Sequence, residues 1–427
     1  MFFSRSKIAD VRAREILDSR GNPTVACRVT LRSGATAEAS VPSGASTGVH
    51  EAWELRDGGK RYGGKGVLKA IKHVNESIAP VLRGIDVMRQ ADIDHVMIEL
   101  DGTPNKKRLG ANALLAVSLA CAEVAAVERR LPLWRSLRET FSFEHEPSLP
   151  IATMNVLNGG AHAHWSMDVQ ECMIVPKQKT MADRIRAGAE IFSALRELLG
   201  EEGFATTVGD EGGFAPRFPS AEEGFATLAQ AVKRSGYKLG KDVAFAVDVA
   251  SSELYDERKK QYRFRTEGQT YSANDLLKRY VAWQDRYSFE SIEDPFAEDD
   301  WKAWAQALPV LGKRSVIVGD DFLVTNTERL KRAIDEHAAN AILIKVNQIG
   351  TVTESVDAIT LAHASGWKTS ISHRSGETAD TFIADLAVAC GSEYIKTGSL
   401  SRSERVEKYN RLLEIEEEMA SIGRKSW

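Results

Sequence analysis

A small α+β domain followed by an eight-stranded α/β barrel of the TIM type is the fold class that this sequence predicts, and three observations carry it. The 427 residues are more than one ordinary core holds, but they fit a barrel of about 250 residues with a second unit in front of it. Short β-prone runs come first and helical patterns follow, whereas beyond Pro150 short apolar runs alternate with amphipathic helices. Finally, six of those later runs end in an ionisable residue.

Taken in order, Val25 to Leu31 and Ala35 to Val41 are β-prone and separated by Arg32-Ser33-Gly34, which reads as an antiparallel pair. Leu114 to Val127 carries Ala, Leu and Val on nearly all sides and reads as a buried helix. Strands before helices make an α+β unit. Phe141 to Pro150, with Glu144, His145, Glu146 and two prolines, reads as the linker, which divides the chain into an N-terminal domain over 1–145 and a barrel over 146–427. Asp183 to Leu199 reads as an amphipathic helix closed by Gly200 at its C-cap. The alternation beyond Pro150 implies parallel strands joined by helices.

The ends of the apolar runs are the most informative feature. Ala244 to Val247 stops at Asp248, Phe289 to Ile292 at Glu293, Ser315 to Gly319 at Asp320, Ala341 to Ile344 at Lys345, Thr369 to Ser372 at His373, and Glu393 to Ile395 at Lys396. After a first gap of 45 residues the spacings are 27, 25, 28 and 23, each the length of one βα unit. Residues that end consecutive parallel strands converge on one rim, where barrel enzymes keep their chemistry. A single strand often ends in a charge because it has reached solvent, but six in register with both signs need a common cause.

Composition excludes several function classes. A formal charge of −4 gives no field that would draw nucleic acid or an anionic membrane. Cys27, Cys121, Cys172 and Cys390 form no CxxC pair, which speaks against structural zinc and a disulfide framework and suits a reducing compartment. No apolar run has the length of a membrane span and the opening residues lack a secretory hydrophobic stretch, so the expected location is the cytoplasm.

Asp248, Glu293 and Asp320 gathered at one rim cannot all stay ionised without a cation. Carboxylates without histidine or cysteine partners favour a hard ion, magnesium first and manganese next. Lys345 and Lys396 on the same rim suit proton abstraction or the holding of an anion. His373-Arg374-Ser375-Gly376 offers a guanidinium, a hydroxyl and backbone donors to phosphate or carboxylate oxygens. Glycine-rich loops run from Ser43 to Gly48, Asn158 to His162 and Gly209 to Gly213, and the last two carry a histidine or acids at the tip. A metal beside a lysine suits removal of a proton from carbon next to a carboxylate, and Glu211 or Glu171 could then protonate a leaving hydroxyl.

Longer stretches carry a resemblance: Arg14 to Val25 (REILDSRGNPTV), Pro42 to Gly48 (PSGASTG), Gly209 to Pro216 (GDEGGFAP), Ser291 to Phe296 (SIEDPF), Lys345 to Thr351 (KVNQIGT) and Ser372 to Thr378 (SHRSGET). Through these the chain resembles the enolase family over nearly its whole length. The resemblance implies a barrel with an irregular strand order at its start, which would account for the first gap of 45 residues. It implies two Mg2+ ions per active site, the first on Asp248, Glu293 and Asp320 and the second on Ser46. Lys345 is then the base at C2 and Glu211 the acid at the C3 hydroxyl, supported by Glu171. His162 and His373 close on the substrate, Arg374 and Ser375 hold its phosphate, and Lys396 its carboxylate. The family reaction is the reversible dehydration of 2-phospho-D-glycerate to phosphoenolpyruvate in glycolysis, and a homodimer or larger homo-oligomer is implied.

Two departures stand out. Family members usually carry an asparagine where Trp165 stands and a phenylalanine where Cys172 stands, and His164 adds to the unusual loop. These prompt a second reading, an enolase-like paralogue that dehydrates a phosphonate or carboxyphosphono analogue; a third is an inactive binding protein that keeps the fold. At the dimer interface Arg14 and Glu417 keep one ion pair, whereas Ala26 and Glu414 stand where the other would have a carboxylate and an arginine.

Overall fold

The computed structural model describes residues 5–44 and 48–424, the side chains of 422–424 excepted; the predicted metal ligand Ser46 lies outside the described residues. Strands β1 (Ile8–Leu17), β2 (Pro23–Leu31) and β3 (Thr36–Ser40) form an antiparallel meander in the order β1-β2-β3. The pairing predicted between the two β-prone runs is present, with Ala26 opposite Ser40 and Thr30 opposite Thr36.

The predicted buried helix spans Ala111–Arg129 and packs against β2 and β3. Its small side chains let it lie close to the sheet, and the positive φ of Arg130 ends it in a left-handed cap. It is the one helix among the described residues long and apolar enough to cross a membrane, and it is 83% buried as a core element of this domain.

This helix also titrates. Burial, and then the charges of Asp380 and Asp385, push the Glu123 carboxyl up to about 8. A carboxyl whose pKa is raised on folding adds stability that is complete below its unfolded value of about 4.3 and disappears as pH rises through the folded value. Thermal unfolding should therefore show Tm falling between about pH 5 and pH 8, and Glu123→Gln should flatten that fall. An unchanged pH profile in the variant contradicts the assignment.

After residues 141–150, which form no regular element, the chain builds the barrel. Its strands are β4 (Ile151–Asn158), β5 (Glu171–Pro176) and β6 (Val243–Asp248), then, after a small sheet of β7 (Tyr255–Asp256), β8 (Gln261–Phe264) and β9 (Gln269–Tyr271), five more: β10 (Phe289–Glu293), β11 (Val316–Gly319), β12 (Ala341–Ile344), β13 (Lys368–Ser372) and β14 (Tyr394–Lys396). They close in the order β10-β11-β12-β13-β14-β4-β5-β6.

Three expectations need correction. The barrel is not parallel throughout, because β5 runs antiparallel to both β4 and β6. A short connection over residues 159–170 returns the chain beside β4, which is a hairpin and needs no crossover helix. The gap of 45 residues between Asp248 and Glu293 has another cause: that stretch holds the small sheet β7-β8-β9 and the helix Ala273–Arg286, not the irregular start of the barrel. The helix read as Asp183 to Leu199 runs from Met181 through Gly200 to Glu201. Gly203, at φ +79°, takes the left-handed conformation instead, and Phe204 N–H closes onto Leu199 O at 2.8 Å.

The pleat decides what faces the axis. Val316 and Val318, Ala341 and Leu343, and Tyr394 pack together inside the barrel, as do Met173, Val175, Ala244 and Ala246. Side chains alternate with period two along a strand, so Asp320, Lys345, Lys396 and Asp248, each two residues beyond an inward side chain, also point inward at the mouth. The reversal of β5 adds one more: its first residue, not its last, lies at this rim, where Glu171 pairs in register with Asp248.

Candidate active site

The mouth gathers these charges into one buried network. Oxygen atoms of Asp248, Glu293 and Asp320 lie within 4.8 Å of one another, and all three residues are buried. Lys345 Nζ reaches Asp320 Oδ2 at 2.5 Å, and Lys396 Nζ reaches Glu293 Oε1 at 2.7 Å, Glu171 Oε1 at 3.1 Å and Asp248 Oδ2 at 3.2 Å. Burial, and then the Asp248 charge, push the Glu293 carboxyl well above the usual range. Burial works most strongly against the Lys345 ammonium, but the neighbouring carboxylates, Asp320 first and then Asp321, together hold the group above its ordinary value.

A second group faces it. His162, Glu171 and Glu211 place ligand atoms within 4.8 Å of one another. His162 Nδ1 is 3.5 Å and His373 Nε2 3.7 Å from Glu211 Oε1. Burial pushes both imidazoles below their usual range, so they are neutral at pH 7. Arg405 Nη1, a donor only, lies 2.6 Å from His373 Nδ1; that nitrogen accepts, and the ring proton sits on Nε2, aimed at Glu211. Burial and the adjoining Glu211 charge push the Glu171 carboxyl well above the usual range, so of the two acids Glu171 favours the protonated form. Glu171 Oε2 and His373 Nε2 are buried with no hydrogen-bond partner, which leaves them for a ligand.

The loops are held by residues that sequence reasoning missed. Arg405, fully buried, donates to the carbonyls of Arg374 and Ser375 at 2.6 Å and of Asp210 at 3.1 Å, tying two of the predicted loops together. Asp294, at φ +42°, accepts the N–H groups of Asp320 and Asp321 at 2.8 and 2.9 Å and so fixes the end of β11. Gln348, Gln170 and Asn155 donate to Asp320, Asp248 and Glu211 at 3.1, 3.3 and 3.0 Å. Glu51 forks onto Arg374 at 3.0 and 3.1 Å. Gln348 and Asp294 fall within the matched stretches and Gln170 beside Glu171, a signal that could have found them; Arg405 and Glu51 carry none. Glycine is required at two loop positions: a Cβ on Gly159 would sit 2.3 Å from Val169 O, and Gly212, at φ +86°, would place one 2.5 Å from Ser401 O.

His162, Glu171, Glu211, Lys345, His373 and Lys396 share a cleft with Arg374 and Ser375. Of the residues predicted from sequence, the structure brings together all the described ones. A family model described as the enolase N-terminal domain matches residues 8–137, and one described as the enolase C-terminal TIM barrel domain matches residues 146–425. The chain belongs to the enolase family. Its buried oxygen-only cluster, two ammonium groups close by, suits the divalent metal on which enolase-family chemistry depends.

None of His164, Trp165 and Cys172, the departures from the usual enolase pattern, lines the cleft. Cys172 follows Glu171 on β5 and therefore points outward, into the apolar core between barrel and helices. Trp165 lies under the Arg265 guanidinium, 3.9 Å from the ring centroid. Thr266 Oγ1 donates to Trp165 O at 3.1 Å, and the Thr266 and Glu267 N–H groups donate to Asp168 at 2.9 and 3.0 Å. The small sheet therefore latches the loop that carries His162. A partly exposed cation–π contact of this kind is worth about 1 kcal/mol, so Arg265→Ala should lower kcat/KM about fivefold. Arg265→Lys should recover part of the loss; kinetics identical to wild type contradict the latch.

Proposed function

We propose that this enolase-family protein catalyses the Mg2+-dependent, reversible dehydration of 2-phospho-D-glycerate to phosphoenolpyruvate. The observation that carries the reading is the position of base and acid. Lys345 directly follows β12, and Glu171, within 4.8 Å of the acid Glu211, begins β5, strands four places apart in a closed ring of eight, so base and acid stand on opposite walls of the mouth. Elimination needs that arrangement: a base on one face of the substrate and an acid on the other.

Asp248, Glu293 and Asp320 would hold one Mg2+, and Ser46 a second. When bound, the ion supplies positive charge over the substrate carboxylate and occupies the Asp320 charge that otherwise holds the Lys345 proton. Arg374 already presents its fork to a carboxylate, that of Glu51, and the same fork suits two phosphate oxygens, with Ser375 beside it. Lys396 faces the substrate carboxylate. Lys345 Nζ takes the C2 proton, and the electron pair left on C2 forms the double bond to C3. The proton held by Glu171 and Glu211 goes to the C3 hydroxyl, which leaves as water, while His162 and His373 exclude solvent.

Turnover of 2-phosphoglycerate with Mg2+ tests the reading, followed by the ultraviolet absorbance of phosphoenolpyruvate. A rate no greater than the enzyme-free control rejects it. The phosphonate reading drew on His164, Trp165 and Cys172, none of which lines the cleft, so the ordinary enolase substrate is favoured; a phosphonate analogue in the same assay separates the two. For assembly we propose a homodimer, although Arg14 is already paired with Glu38 of its own chain and Glu414 with Arg411.

A further inference from the structure

We propose that His145, His363 and Glu393 form a transition-metal site of the zinc class on the floor of the barrel, at the end opposite the catalytic mouth. The three residues come from segments far apart in sequence. His145 lies in the stretch before β4, His363 near the end of the helix Val352–Ala364 that leads to β13, and Glu393 immediately before β14. Because β13, β14 and β4 are neighbours in the closed ring, their entry points meet.

The ligand atoms of the three residues lie within 4.8 Å of one another. Donors about 2.0–2.1 Å from a tetrahedral ion are roughly 3.4 Å apart, so a modest inward shift sets three of the four donors and leaves the fourth position to water. His363 Nε2 stands 3.9 Å from Glu393 Oε2 and 3.0 Å from Thr369 Oγ1. The Thr369 N–H holds Glu393 Oε2 at 3.0 Å, the kind of outer contact that orients a metal ligand. His145 is anchored through its backbone, whose carbonyl accepts from Arg138 Nη1 at 2.6 Å. Gly391 lets it approach: a Cβ there would sit 2.8 Å from His145 Cβ.

At present the His145 and His363 rings stack, with centroids 3.8 Å apart and planes 16° from parallel. Plain packing also produces such a stack. Burial, and then His145, hold His363 down at about 4, which keeps it neutral. A neutral imidazole is a ligand, and two of them with one carboxylate select zinc or a neighbouring transition ion over magnesium. Coordination asks His145, the partly exposed member, to tilt off the stack. The ion would then tie the interdomain stretch to the barrel floor.

The test uses the full chain in excess MgCl2, which keeps the catalytic carboxylates occupied, with Zn2+ added and bound metal counted after equilibrium dialysis. The expected result is one zinc per chain that Mg2+ does not displace, lost in both His145→Ala and Glu393→Gln. Zinc should raise Tm in wild type but not in His145→Ala, and 2-phosphoglycerate turnover should be the same in both. Co2+ in place of zinc should show the strong visible bands of a four-coordinate nitrogen and oxygen site, absent from His145→Ala. Retention of the zinc by either variant, or no zinc on wild type in excess Mg2+, overturns the proposal.

Discussion

Lys345→Ala is expected to lower kcat by about 10²–10⁴-fold, the usual contribution of a general base, while fold and metal affinity stay close to wild type. The backbone has no stake in the side chain: Lys345 precedes a short helix in an extended conformation at φ −115°. Asp320, which loses an ammonium 2.5 Å away, keeps the Gln348 amide at 3.1 Å and remains able to take a cation. Circular dichroism and an Mg2+ titration would establish that fold and metal binding survive. Lys345→Arg should not rescue, because a guanidinium does not give up its proton. Turnover above about a tenth of wild type in Lys345→Ala would mean that another group acts as the base.

The second large effect separates the two halves of the reaction. Glu211→Gln removes a carboxyl that takes part in holding the proton for the leaving hydroxyl, yet leaves Lys345 across the barrel untouched. Water loss should fall by about 10²–10⁴-fold, whereas exchange of the C2 hydrogen with solvent deuterium should persist. In Lys345→Ala both should disappear. If Glu211→Gln lost exchange and elimination to the same extent, the assignment of base and acid to opposite walls would fail.

What could be read from the sequence follows from how barrels are built. Asp248, Glu293, Asp320, Lys345 and Lys396 were legible because each ends, or directly follows, a short buried strand, and parallel strands deliver their last residues to one rim. Glu171 obeys the opposite rule. It begins its strand, and only the reversal of β5 brings it to the mouth. That reversal was hidden because β5 is buried along its whole length, and a strand apolar on both faces carries no mark of direction. Arg405 was hidden for another reason: it sits in the charge-rich helix Ser403–Arg424, where an arginine normally faces solvent. Its burial depends on backbone carbonyls of residues 210, 374 and 375, contacts that no local pattern encodes. Trp165 reads from sequence as a change in the substrate site, whereas its ring lies under Arg265 in the turn between β8 and β9.

In the proposed reaction the three carboxylates and Lys345 act as one centre for removing a proton from carbon beside a carboxylate. Nuclear magnetic resonance of 2-phosphoglycerate in deuterium oxide with the wild-type protein tests it most directly. Deuterium should enter C2 in the presence of Mg2+ and stop when the ion is chelated. Incorporation that continued without a divalent ion, or none with it, would contradict the account.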